Sequence, residues 1–210
     1  METDSCLRSE FLKHPEQIKD DFFNVIPGIW IDGKTYWLES GKDELNLAEG
    51  ICLYMKEEHV HKDISMLNVY ITNQGFCSLQ AKLLFQYWKQ TVNTHLSFIS
   101  PSENVIYHIE NEAMYLINGY CFGSIKRSCS SQPLWNMDHD EIWECTQSGI
   151  LKYYPMTNGN PVSIQTFDLD IKENRTCLGK SWIISGQNEL EMLKLNTELL
   201  KNTLAIAGEK

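Results

Sequence analysis

The sequence predicts a mainly β protein: an antiparallel β-sandwich, or its larger supersandwich variant, with a short N-terminal helix and a C-terminal amphipathic helix. The first observation is a period of two in the apolar residues, clearest at Leu67, Val69 and Ile71, as on a strand with one buried face. The second is that turn residues recur about every 8–15 residues, which is typical of antiparallel sandwiches. The third is a change to helical spacing near the end of the chain.

Two parts of unequal length are predicted along the chain. Residues 1–27 form a lead-in segment, in which Pro15 opens a short helix because proline is tolerated in a first helical turn. Pro27-Gly28 marks a break, and residues 28–210 form one sandwich domain. A chain of 210 residues buries enough surface to fold without disulfides or metals.

The hairpin signal that begins this domain is Asp32-Gly33, because the pair supplies the positive φ angles that a tight turn requires. The strands on either side of the turn are predicted over 29–31 and 34–37. Further strands are predicted over 51–56, 67–72, 81–88, 104–109, 112–117, 141–145, 150–154, 164–171 and 181–184. They are short and bounded by turn residues, which favours the antiparallel sandwich.

The chain is predicted to end in an amphipathic helix over 188–205, where leucines recur at spacings of three, four and seven. Ser185-Gly186 is the predicted cap region. Glu189 near the positive end of the helix and Lys201 near its negative end suit the helix dipole. We expect the helix to lie across one sheet or one edge of the sandwich, with binding of a partner helix as the alternative.

Charge and hydropathy restrict the partners. The net charge is -10, from 18 basic and 28 acidic residues, so the surface repels phosphate backbones and anionic membranes. No run approaches the ~18–20 apolar residues of a membrane helix, and the polar start at residues 1–5 does not resemble a secretory signal. We therefore expect a cytoplasmic protein without nucleic-acid or membrane partners. A protein partner or a carbohydrate stays open, and the oligomeric state is not predicted.

The cysteines predict no metal site. The chain has seven, at positions 6, 52, 77, 121, 129, 145 and 177. The number is odd and no two follow the C-x-x-C spacing, so neither a disulfide framework nor a paired-cysteine zinc site is favoured. We expect free thiols that pack as small apolar side chains, and we predict no cofactor.

A histidine pair is the first candidate site. On a strand, His59 and His61 would point to the same face, which is a usable spacing for metal ligands. A cupin-type site also begins with H-x-H, but it needs a glutamate a few residues later, and residues 62–67 contain none. The favoured interpretation is a solvated loop between strands, and the alternative is a metal-dependent enzyme that uses both histidines.

An acidic segment is the second candidate. Residues 138–144 contain four carboxylates and one imidazole, and tryptophans lie beside them. Asp138 and Asp140 are therefore candidates for acid/base chemistry or for oxygen ligation of a metal. The spacing of a calcium loop is absent, and neighbouring carboxylates in one loop rarely face each other across a substrate. A solvated acidic loop is the favoured interpretation.

Nucleophilic catalysis has no motif in this chain. There is no G-x-S-x-G elbow and no glycine-rich phosphate loop. His95 and His108 lie in apolar β segments, and we expect both to be structural. A triad assembled from distant residues stays open, and His108 is kept as a candidate ligand-binding residue.

Aromatic side chains are the remaining functional signal. Six tryptophans and nine tyrosines offer flat apolar faces, on which sugars bind through C–H groups while polar neighbours take the hydroxyls. Trp88, Trp135 and Trp143 are the candidate sugar-binding rings. The alternative, which is favoured for the set as a whole, is that the tryptophans fill a wide core.

The end of the chain resembles a known type of domain. Residues 164–171 and 180–186, followed by Glu189, Leu190 and Leu193, are similar to the end of the large β-supersandwich domains of carbohydrate-active enzymes, which include glycoside phosphorylases and bacterial glucoamylases. In those domains a late strand pair leads into a helix. The resemblance implies a supersandwich fold and a carbohydrate-related role. No catalytic residue is carried over, because the histidine and carboxylate motifs of the sugar mutarotases have no match here.

Two functions follow for testing. The leading hypothesis is a non-enzymatic β-sandwich that acts in binding or as a structural interaction module, because no catalytic constellation is found. The alternative is a carbohydrate-binding or sugar-processing supersandwich domain with exposed tryptophans on a sheet face. Since fold similarity does not determine function, the position of the tryptophans decides between them.

Overall fold

The computed structural model describes residues 23–48, 50–89, 95–139 and 141–208. The predicted N-terminal helix lies outside these residues. The described residues form β1 (Asn24–Ile31), β2 (Lys34–Trp37), β3 (Glu44–Leu47), β4 (Ile51–His61), β5 (Ile64–Asn73), β6 (Leu79–Trp88), β7 (His95–Ser100), β8 (Val105–Glu110), β9 (Ala113–Cys121), β10 (Lys126–Pro133), a 3₁₀-helix (Leu134–His139), β11 (Trp143–Cys145), β12 (Ile150–Leu151), β13 (Met156–Gly159), β14 (Pro161–Ile171), β15 (Arg175–Gly186) and α1 (Glu189–Gly208). The mainly β class with a C-terminal helix is confirmed.

Two large antiparallel sheets make up the body of the protein. The first has the strand order β10-β14-β6-β1-β2, and the second has the order β13-β7-β8-β9-β15-β5-β4-β3. One apolar cluster contains residues from both sheets, among them Leu83 and Phe167 of the first and Val69 and Ile117 of the second. The sheets therefore pack face to face, and the predicted antiparallel sandwich is confirmed.

The first hairpin forms where the sequence predicts it. Asp32 and Gly33 have φ angles of 47° and 82°, and β1 pairs with β2 across them. This is the conformation that favours an Asp-Gly turn between two strands with a right-handed twist.

The predicted break at Pro27-Gly28 is wrong, because both residues lie inside β1. The carbonyl of Pro27 accepts a hydrogen bond from the Leu38 N–H just beyond the end of β2. The backbone nitrogen of Pro27 points to the β2 side, as its carbonyl does. The N–H that proline lacks would therefore not have bonded to β6. A Cβ atom at Gly28 would lie 2.5 Å from Cε3 of Trp37, so this position requires glycine for close approach.

Both faces of β6 are covered. Leu83, Phe85 and Tyr87 point into the interior between the large sheets, as the period of two predicts. Leu84 on the opposite face belongs to a second apolar cluster that also contains Trp143. This outer cluster is closed by the chain between the 3₁₀-helix and β12, so the strands predicted over 141–145 and 150–154 shorten to β11 and β12.

The C-terminal helix covers the outer face of the second sheet. Packing across one sheet was one of the two placements predicted from the sequence. Met192 packs with Trp182, and partly buried leucines of α1 join the same cluster. The predicted cap at Ser185-Gly186 is wrong, since both residues end β15. Asn188 is the cap: its Oδ1 accepts hydrogen bonds from the backbone N–H groups of residues 190 and 191. Within the described ranges, no helix combines the length and apolar character needed to span a bilayer.

Candidate functional site

The six tryptophans occupy three environments. Trp30, Trp143 and Trp182 are buried, Trp37 and Trp88 are half-buried, and Trp135 exposes 68% of its surface. Burying such a ring contributes on the order of 2–3 kcal/mol to folding. The Trp135 ring therefore lacks this contribution, whereas the other five tryptophan rings are buried or half-buried.

Trp143, a candidate sugar-binding ring, has a structural position. Its indole Nε1–H donates a 2.9 Å hydrogen bond to Oγ1 of Thr35, and its ring centroid lies 6.3 Å from that of Trp30. Trp88 packs partly into the same outer cluster. Of the three candidate rings, Trp135 is thus the one whose faces are accessible.

Two exposed tyrosines lie in a segment that is hydrogen-bonded, through Gln132, to the residue after Trp135. Trp135 belongs to the 3₁₀-helix, and Tyr153 and Tyr154 follow Lys152 just after the end of β12. Tyr153 is 64% exposed and Tyr154 is 36% exposed. We call these three residues the Trp135 surface. Together they present aromatic faces bordered by polar tips, which is the composition of a carbohydrate-contacting surface.

A buried glutamine holds the two segments of this surface together. The Gln132 side-chain amide donates hydrogen bonds to the carbonyl oxygens of Ile142 at 3.2 Å and Lys152 at 3.1 Å. Its Oε1 accepts a 3.1 Å hydrogen bond from Nδ2 of Asn136. Asn136 follows Trp135 and Lys152 precedes Tyr153, so one fully bonded amide fixes the neighbours of both rings.

The edge strand β10 fixes the third ring. The backbone N–H of Ser131 donates to the Tyr154 carbonyl at 2.9 Å, and the Tyr154 N–H donates to Oγ of Ser130 at 3.1 Å. The chain around Tyr154 therefore runs along the open edge of the first sheet and covers its backbone groups. The surface rests on a supported scaffold rather than on a free loop.

The acidic candidates Asp138 and Asp140 follow Trp135 closely in the sequence. Asp138 is on the 3₁₀-helix, its side chain is outside the described part, and Asp140 is outside it altogether. Among the described residues, no group of three or more histidines, cysteines or carboxylates could hold a metal ion. The predicted role of Asp138 and Asp140 stays a prediction.

The histidine pair lies on a strand. The interpretation of His59 and His61 as part of a solvated loop is wrong for the backbone, because β4 continues through His61. The pairing of β4 with β5 shifts register between the two histidines, so an extra residue interrupts the alternation there. Their side chains are outside the described part.

His108 belongs to a buried polar group between the sheets, which we call the histidine cluster: His95, Ser97, His108 and Ser163. Nδ1 of His108 is 2.8 Å from Nε2 of His95, and Nε2 of His108 is 2.5 Å from Oγ of Ser163. Oγ of Ser97 lies 2.9 Å from Oγ of Ser163. The cluster joins β7 and β8 of one sheet to β14 of the other.

Burial controls the electrostatics of this cluster. Burial, and then the nearby His95, hold the pKa of His108 well below its usual 6.5. Burial also lowers the pKa of His95, with Glu110 opposing this and Lys89 adding to it. Lys89 and Glu110 form an ion pair at 2.8 Å. Both imidazoles are therefore neutral at pH 7.

The histidine cluster has reactive groups but no access. A serine hydroxyl beside a histidine is the arrangement of a nucleophile with its base, yet all four side chains of the cluster have zero exposure. The ring of Phe23 covers it, at 4.8 Å from the His108 ring centroid and 6.0 Å from that of His95. In this structure a substrate has no access to Ser163, and the hydrogen bonds of the cluster join the two sheets.

Comparison with known proteins gives one kind of match. No family model and no curated protein matches the chain. Among solved structures, a bacterial glucoamylase complexed with acarbose is similar over 87% of this chain, with a TM-score of 0.55 and 14% sequence identity. The chain spans 30% of the length of that protein. The resemblance to domains of carbohydrate-active enzymes is confirmed at the level of the fold.

The candidate site residues predicted from the sequence do not include Tyr153, Tyr154 or Gln132. A signal for the tyrosines was present, because Pro155 follows them and proline ends a central strand. Aromatic side chains at the end of a strand are poorly placed to be buried between two layers of the fold. For Gln132 there was no signal, since its three partners come together only in the folded protein.

Proposed function

We propose that this chain is a carbohydrate-binding domain without catalysis of its own, and that it takes a neutral glycan on the Trp135 surface. The observation that supports this most directly is the exposure of Trp135, 68%, together with Tyr153, 64% exposed in a segment anchored to the same glutamine. Large apolar side chains grouped on a surface mark a contact site. The proposal joins the binding role expected from the sequence with its carbohydrate alternative.

The chemistry favours a sugar as the occupant. Sugar rings offer C–H groups that stack on indole and phenol faces, and they bring hydroxyls for polar neighbours. A neutral glycan also meets no electrostatic penalty from a protein of net charge -10. The fold similarity to a glucoamylase raises the prior for this ligand class, and it does so by analogy alone.

The test is a titration of the purified chain with acarbose, malto-oligosaccharides and β-linked gluco-oligosaccharides, followed by calorimetry and tryptophan fluorescence. We expect binding of at least one glycan, and Trp135→Ala should weaken it at least tenfold, about 1.4 kcal/mol, because the stacking face is lost. Phe76→Ala is the matched control, since Phe76 is 93% exposed in the turn between β5 and β6.

Two outcomes would overturn the proposal. One is the absence of binding across the whole panel. The other is binding that Trp135→Ala leaves unchanged, which would place the glycan elsewhere on the protein.

A further inference from the structure

A cavity of about 290 Å³ opens where the two large sheets diverge beside α1. Its walls include Gly119 of β9, Arg127 of β10, Phe167 of β14 and Leu200 of α1. β9 pairs with β8 through its residues 113–117. Its last residues, 118–121, extend beyond this pairing and line the cavity. The cavity therefore lies at a gap beside β9 in the second sheet.

Arg127 is one of the residues that line this cavity. On β10 it shares a face with Cys129, which packs against the main core, so its side chain enters the space between the sheets. The guanidinium carbon lies 5.9 Å from the Phe167 ring centroid, close enough for a cation–π contact. The ring fixes the position of the charge but supplies no hydrogen-bond acceptor.

The charge of Arg127 is not compensated within the described part of the chain. Its Nε and Nη2 are shielded from solvent and have no hydrogen-bond partner there, and no carboxylate pairs with it. Burial raises the pKa of the Cys129 thiol and the nearby Arg127 charge lowers it, but sulfur is a weak hydrogen-bond partner. Leaving such donors unmet is costly, so an arginine at this place indicates an acceptor other than the described residues.

The rest of the cavity suits an anion. Lys126 adds a second positive charge to the lining. Glu103 is the acidic residue of the lining, and its Oε2 accepts hydrogen bonds from the hydroxyls of Ser100 and Ser102, so one carboxylate lies among two cationic side chains. A Cβ atom at Gly119 would lie 2.9 Å from Oε1 of Gln165, so glycine there keeps the wall clear.

We infer that this Arg127 cavity binds a small anionic molecule that carries a carboxylate or a phosphate. The charge of the guanidinium attracts the anion, and the shielded Nε and Nη2 donate two parallel hydrogen bonds to it once the side chain turns toward the opening. A volume of about 290 Å³ is at the lower end for ligand pockets, which restricts the ligand to about one ring. The site is separate from the Trp135 surface.

The test measures thermal shift and calorimetric binding with glucuronate, glucose 6-phosphate and inorganic phosphate, with glucose as the neutral reference. We expect at least one anion to bind and glucose not to respond. Arg127→Met should reduce the anion affinity at least 30-fold, and Arg127→Lys about tenfold, because a lysine keeps the charge but loses the fork. Arg175→Met, at an exposed arginine, is the matched control and should bind as the wild type does.

A second readout separates a binding role from a structural one. Without ligand, Arg127→Met should melt at the same temperature as the wild type or higher, since it removes an uncompensated charge. A lower melting temperature with unchanged anion binding would overturn the inference, and so would equal responses to glucuronate, phosphate and glucose. Trp135→Ala should keep the anion response, so failure of the glycan proposal is distinguishable from failure of this one.

Discussion

The histidine cluster contains reactive groups without solvent access, whereas the Trp135 surface has solvent access without reactive groups among its described side chains. His108 and Ser163 are 2.5 Å apart at zero exposure, while Trp135 and Tyr153 each expose most of their surface. Catalysis needs both properties in one place. Their separation favours binding at the surface and a structural role for the cluster.

The difference also shows how the fold uses polar residues. In the cluster, and around Tyr87, side chains from both sheets bond to each other: Tyr87 Oη lies 3.0 Å from Oε1 of Gln165 and 2.7 Å from Oγ of Ser181. Such bonds require one relative placement of the sheets, because each unmet buried group would cost about 1–3 kcal/mol. Polar residues in the interior therefore fix register, and the aromatic residues outside remain available.

The largest expected effect is from His108→Ala, which breaks the cluster. The variant leaves Ser163 and His95 without a shared partner and opens a cavity, so it should lower the free energy of unfolding by about 3 kcal/mol. Urea denaturation measures this loss. Glycan binding below the melting temperature should be unchanged, and a loss of binding by the folded variant would contradict the separation of the two regions.

Acid should act on the cluster next. Because burial lowers the pKa values of His95 and His108 below 6.5, the unfolded chain binds more protons than the folded chain below that pH. Their contribution to stability is complete above pH 6.5 and falls as the pH drops below it, by roughly 2 kcal/mol between pH 7 and pH 5.5. Urea denaturation across this range measures the slope.

A variant identifies the source of that slope. His95→Gln removes one of the two buried imidazoles and leaves the Lys89–Glu110 ion pair in place, so the pH dependence between pH 7 and pH 5.5 should become weaker, and the remainder should come from His108. A wild-type slope in this variant would assign the acid sensitivity to other groups.

Gln132→Ala affects the support of the Trp135 surface. It deletes three hydrogen bonds of a fully buried amide, which should cost about 2 kcal/mol of stability. Because both segments lose their common anchor, glycan affinity should fall several-fold as well. Lys152→Ala is the control, since it keeps the backbone carbonyl that Gln132 binds. Unchanged affinity in Gln132→Ala would show that the rings do not need this support.

The smallest effect on stability is expected for Tyr153→Ala. With 64% of the residue exposed, its truncation should change the free energy of unfolding by less than about 0.5 kcal/mol. Glycan affinity should still fall several-fold, because one of the stacking faces is removed. A clear loss of stability with intact binding would give Tyr153 a structural role instead.

Much of the fold could be predicted because its strands carry local signals. The alternation at Leu67, Val69 and Ile71 and the turn at Asp32-Gly33 depend on short-range rules. β10 (Lys126–Pro133) was missed since its serines and cysteine show no period of two. Its polar residues are buried because partners far away in the chain satisfy them, as the Ser97 carbonyl does for the Ser131 hydroxyl at 3.3 Å.

Less of the candidate site could be predicted. Trp135 and Trp143 lie in one acidic segment and look equivalent in the sequence, yet one ring is exposed and the other buried. Their environments differ because Trp143 packs in the outer cluster and donates a hydrogen bond to Thr35, 108 positions away in the chain. Arg127 lacked any signal for the same reason, since the gap beside β9 exists only in the assembled sheets.

The most direct test of the account is a ¹⁵N NMR titration that follows the six indole N–H resonances while the tightest-binding neutral glycan of the panel is added. The account predicts that the Trp135 resonance shifts most. The indole N–H of Trp143, donated to Thr35, and that of Trp182, donated to Asn196, should stay in place. A glycan that shifts these buried resonances and leaves Trp135 unmoved would contradict it.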